Sequence, residues 1–137
     1  MENHQDKWDK DNQNKFSDRA SLIRSLEEQI EVAVWLQAFG QLSEAILLSK
    51  LLFISDNVDS HGEQKIVVGN WVQALGQIME ALGVSQELST IDKEMILNAQ
   101  KLAIAGSFIQ SFGAQIEGFG GVEVIQEEKE GAELFVP

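Results

Sequence analysis

Apolar positions along this chain recur at three- and four-residue spacing instead of alternating, which predicts helices and gives no strand signal. Trp71, Leu75, Ile78 and Leu82 trace one apolar stripe, and Val34, Ala38 and Leu42 belong to a similar face upstream. The only proline is Pro137, so nothing inside the chain forbids long helices. Two polar, turn-rich stretches divide the pattern: SDNVDSHG at 55–62 and VSQELST at 84–90. Three helices are therefore expected at about 17–53, 63–82 and 91–118. Ser60 with Glu63 has capping-box spacing for the second helix, and Gly83 is its expected C-terminal residue. Ser89 or Thr90 is the expected N-cap of the third, with Asp92 and Glu94 in its first turn. The glycines of 118–121 read as its stop. The first span is long, and its polar stretch at 24–31 leaves open a break there.

A repeat underlies the pattern. IEVAVWLQAFGQLSEAI from Ile30, IVVGNWVQALGQIMEAL from Ile66 and AIAGSFIQSFGAQIEGF from Ala103 align without gaps. The unit is about 36 residues, the range of helical repeats. In each, an aromatic residue (Trp35, Trp71, Phe108) precedes Gln37, Gln73 or Gln110, then Gly40, Gly76 or Gly113, then Glu44, Glu80 or Glu117. The expected fold is an all-α antiparallel helical bundle of three such repeats. It occupies 17–121, between a polar, flexible segment at 1–16 and an acidic tail at 122–137. Val122, Val124, Ile125, Leu134, Phe135 and Val136 could dock that tail.

On a helix, Gly69, Gln73, Gly76, Glu80 and Gly83 form one heptad seam. Gly106, Gln110, Gly113, Glu117 and Gly120 repeat it, and Ala33, Gln37, Gly40 and Glu44 give a weaker copy. Glycine inside a helix costs about 1 kcal/mol relative to Ala, so its repeated use on one face implies close helix approach, with Gln as a polar register mark. The seam is read as a packing surface, within the domain or between subunits. The competing reading brings Glu44, Glu80 and Glu117 together on a metal or a polar ligand. Carboxylate-bridged bundles supply Glu-x-x-His pairs, however, and neither His4 nor His61 stands in one. A middle helix of opposite direction also sets its Glu at a different level. No metal or cofactor is expected.

Charge and motifs narrow the function. With 10 Lys and Arg against 22 Asp and Glu, the net charge of −12 argues against nucleic acid and disfavours anionic lipid surfaces. No cysteine is present for disulfides or thiolate sites. The first fifteen residues are polar throughout and cannot form a secretory signal, so a cytoplasmic location is expected. The uncharged windows at 32–43, 66–79 and 102–116 fall short of the roughly 20 residues of a spanning helix. The loop DNVDSHGE lacks the ligand pattern of a calcium hand, with Val58 or Val68 at a required position. No nucleophile turn, phosphate loop or dinucleotide fingerprint occurs, so no catalytic residue is assigned and no enzyme is expected. Trp8 reads as an exposed aromatic or a partner contact; Trp35 and Trp71 read as core.

The motif in WLQAFGQ, WVQALGQ and FIQSFGA resembles the unit of small, uncharacterised repetitive proteins from Bacillus and related bacteria, Gly-Ser/Asn-Trp-Ile/Val-Gln-Ala-apolar-Gly. The likeness spans 30–121, with departures at Ala33, Phe108 and Ser111. It implies no activity. The expected function is a non-enzymatic structural or protein-interaction module that self-associates as a homo-oligomer through its Gly/Gln seams. The alternative is a small-molecule-binding or membrane-active amphipathic helical protein.

Overall fold

The computed structural model describes residues 4–55 and 59–133. They form three helices, α1 (His4–Ile54), α2 (His61–Ser89) and α3 (Lys93–Glu133), in an all-α bundle.

α1 is continuous, with no break at 24–31. That stretch is polar but built from good helix formers, and Arg24 pairs with Glu28 one turn on at 3.3 Å. Residues 4–16, expected to be flexible, belong to the same helix.

α2 starts where the capping box places it: Ser60 Oγ accepts the Glu63 N–H at 3.1 Å. It does not stop at Gly83. It runs on through 84–89, the stretch expected to be a loop. The cap of α3 is Asp92, not Ser89 or Thr90; its Oδ1 accepts the N–H of Glu94 at 3.0 Å and of Met95 at 2.9 Å. The glycines of 118–121 do not stop α3 either, and the segment expected as a tail from 122 continues it as helix to Glu133. Leu134, Phe135 and Val136, and Val58 of the first loop, lie outside the described residues.

α2 is antiparallel to both neighbours. Trp35 bonds Ser85 while Trp71 bonds Ser49, and Gly62 meets Gly120 while Gly83 meets Ala99. α1 and α3 both pack on α2 and not on each other. The face toward α3 carries Gly69, Gly76 and Gly83; the face toward α1 carries Ala74 and Ala81. Five residues separate the two rows, about 140° around a helix, so the three helices lie nearly in one row.

The buried apolar residues are small: Ala38, Ala45, Ala74, Ala81 and Ala99, with Leu52 the exception. Trp71, read as core, is exposed, as are Leu75 and Leu82 of the same stripe, while Ile78 is half-buried. In a single row of helices the central one has neighbours on two sides only, and both of those are lined with Gly and Ala. The larger side chains face outward, against the usual arrangement.

Candidate functional site

Between α2 and α3 the glycine rows meet face to face. A Cβ built on Gly69 would stand 2.6 Å from the Glu117 backbone nitrogen and 2.7 Å from the Gly113 carbonyl oxygen. One on Gly76 would stand 2.6 Å from both the Gln110 nitrogen and the Gly106 oxygen. Gly106 and Gly113 meet the backbone of α2 in the same way. No side chain fits between backbones this close, so the glycines are required by the separation.

Polar side chains flank this contact in two reciprocal pairs. Gln73 donates its Nε2 hydrogen to Glu117 Oε2, and Gln110 donates to Glu80 Oε2. Adding 37 to a position on α2 gives its counterpart on α3, Gly69 to Gly106 and Gln73 to Gln110. Under that shift each pair maps onto the other, so α2 and α3 are related by a local two-fold axis.

A second contact of a different chemistry joins α1 and α2. Trp35 Nε1 donates to Ser85 Oγ and Trp71 Nε1 to Ser49 Oγ, both at 2.9 Å. A shift of 36 interchanges these two bonds. Asn70, fully buried, accepts from Gln41 Nε2 at 2.9 Å and donates to the Ile66 carbonyl at 3.3 Å. Gln77 donates to Gln37 Oε1 at 3.2 Å. No buried side-chain N or O atom among the described residues lacks a partner, as a low-dielectric contact demands. The serines of this contact were not singled out in the sequence. Their signal is there: Ser49 and Ser85 recur at the repeat spacing, with Val122 in the third place.

Each helix thus has two working faces, a Gly/Gln/Glu face and a Trp/Ala/Ser face. α2 uses both, while α1 and α3 use one each. Ala33, Gln37, Gly40 and Glu44 on α1 are all exposed, and a Cβ on Gly40 would meet nothing within 4 Å. On α3 it is the other face that is open: Phe108 and Val122 are exposed, and Gly118 has free space beside it.

The three repeat glutamates do not converge. Glu80 and Glu117 each serve a different glutamine and Glu44 faces solvent. Among the described residues no cluster of three or more His, Asp or Glu has metal-holding geometry. The grooves along the helices are open to solvent.

One further site ties the chain ends of the α2–α3 pair. Glu127 of α3 accepts the Ser60 hydroxyl at 2.6 Å and the Gly62 N–H at 3.2 Å, at the positive N-terminus of α2. The Ser60 bond, aided by the backbone N–H groups of Gly62 and His61, holds its carboxyl below the usual value against a smaller opposing effect of burial. Lys65 and Glu123 pair one turn away.

One helix, α1, is long and apolar enough by length and composition to cross a membrane, with an 18-residue window of mean hydropathy 1.3. No curated protein and no solved structure matches the chain. Residues 24–136, which contain both contacts and both open faces, match a family of unknown function (DUF6944), and the chain belongs to that family.

Proposed function

We propose that the protein is a non-enzymatic interaction module whose work is done by its helix faces, and that it self-associates in solution. The observation that carries this reading is the inverted distribution of side chains. Ala and Gly fill the internal contacts, while Leu26, Ile30, Leu47 and Leu51 of α1, with Leu75, Phe108 and other large apolar residues, stand outside. Apolar surface on this scale marks a place where something else is bound. Repeats whose faces pair with one another inside the chain, with the Gly/Gln/Glu face left open on α1, make a further copy of that surface a fitting partner.

The alternative partner is a lipid bilayer, and the length and hydropathy of α1 favour it. Light scattering across a concentration series, alongside co-sedimentation with neutral and anionic vesicles, tests the reading. A mass above 15.2 kDa that rises with concentration, without vesicle binding, is the expected result. A strict monomer that sediments with neutral vesicles would overturn it.

A further inference from the structure

From the open Gly/Gln/Glu face of α1 we infer a two-fold homodimer in which α1 of one copy lies antiparallel on α1 of the next. The inference deepens the self-associating reading above and rests on it.

The molecule contains its own template. Where this face meets another of its kind, between α2 and α3, the helices run antiparallel, the small residues meet, and each Gln donates to the Glu of the opposite helix. α1 carries the same elements at the same spacing. Its Glu44 carboxylate is exposed and, among the described residues, has no hydrogen-bond partner. Gln37 uses only its oxygen, accepting from Gln77, so its Nε2 hydrogens remain available. Transposed from the template, Gln37 donates to Glu44 of the second copy and the reverse, and Ala33 lies against Gly40 of the second copy. A parallel pair in register would instead set Glu44 against Glu44, which like charge disfavours.

The stripe does not end at those four residues. Leu26 and Ile30 continue it toward the N-terminus and Leu47 and Leu51 toward the C-terminus, every one exposed. Together they hold an unbroken a/d heptad pattern. The antiparallel register set by the template brings Leu26 onto Leu47 of the second copy and Ile30 onto Leu51, apolar against apolar throughout.

The departure from the template is informative. Leu26 and Leu47 occupy the places of Gly62 and Gly83, so α1 helices cannot lie backbone to backbone along their length. They cross at the Ala33/Gly40 waist and part toward leucine layers on either side, as helices with small residues at the crossing point do.

The test uses single substitutions in the full chain. Leu47 is 63% exposed, so Leu47→Asp leaves the monomer fold intact by circular dichroism. It should reduce the mass from twice 15.2 kDa to 15.2 kDa at a concentration where the parent is dimeric. Phe112→Asp, at an equally exposed place on α3, should leave the dimer unchanged. If Phe112→Asp dissociates the dimer and Leu47→Asp does not, self-association stands and the α1 pairing is overturned. A parent that is monomeric at every concentration removes both. Orientation is read by cysteine cross-linking, since the chain has no cysteine of its own. Mixed Leu26→Cys and Leu47→Cys copies should form a disulfide between them, and a Leu26→Cys copy cross-linking to itself would overturn the antiparallel register.

Discussion

The α2–α3 contact and the open face of α1 are built from one motif, yet only the first is closed within the chain. The difference lies in how far the glycine row extends. Gly62, Gly69, Gly76 and Gly83 oppose Gly120, Gly113, Gly106 and Ala99, four layers deep, so two helices can touch along their backbones. On α1 the corresponding places hold Leu26, Ala33, Gly40 and Leu47, and one glycine permits approach at one point only. The separation of a helix pair is thus set by the row as a whole, and in the α2–α3 pair the Gln and Glu beside it supply register.

The largest test of this contrast exchanges glycine for alanine on each face. At Gly76 the new methyl stands 2.6 Å from backbone atoms of α3, and α3 must move. Gly76→Ala should lower stability by about 1–3 kcal/mol in urea denaturation. At Gly40 the methyl meets nothing, and in dilute, monomeric protein Gly40→Ala should raise stability by up to about 1 kcal/mol through helix propensity. Equal effects at both sites would erase the distinction.

A smaller effect sharpens the difference between the Gly/Gln/Glu face and the Trp/Ala/Ser face. Trp71→Phe removes one hydrogen bond to Ser49 and should cost about 0.5–1.5 kcal/mol. A double-mutant cycle with Ser49→Ala should then show coupling, because the second change finds no bond left to break. Additive losses would mean that the tryptophans act by packing alone.

The smallest effect concerns the Glu127 clamp at the N-terminus of α2. Glu127 has a lowered folded-state pKa, so its contribution is fully present above the unfolded value of about 4.5 and is lost as pH falls through the lowered value. The difference in melting temperature between the parent and Glu127→Ala should therefore narrow as the pH is brought down from 5. A difference that stays constant would show the bonds to Ser60 and Gly62 to be independent of the charge.

Much of this arrangement is visible in the sequence, because glycine is expensive inside a helix and its heptad spacing at Gly69, Gly76, Gly106 and Gly113 demands a reason. The same residue misleads at helix ends. Gly83 and the run at 118–121 look like stops, since glycine most often ends helices, but Gly83 and Gly120 are the outer layers of the α2–α3 contact. The periodicity of Trp71, Leu75, Ile78 and Leu82 marks a helix face correctly, but Trp71, read as core, is exposed. Apolar spacing cannot say which of two faces a neighbour will choose when the other offers closer backbone contact. Nor does spacing show that α1 turns Gly40 and Glu44 away from α2, because that depends on which face wins the competition for one central helix.

The outward face of α3 has a bearing on how large an assembly can grow. Its Phe108 and Val122 replace the indole donor and the hydroxyl acceptor that recur in the other two repeats. In the language of polymer chemistry, the α1 pairing proposed above would make the chain a monofunctional unit: one reactive end, one stopper. Two such units would couple and growth would terminate, whereas a chain with live faces at both ends would add copies without limit. Restoring both groups, as Phe108→Trp with Val122→Ser, would turn the stopper into a second reactive end and a closed pair into a filament.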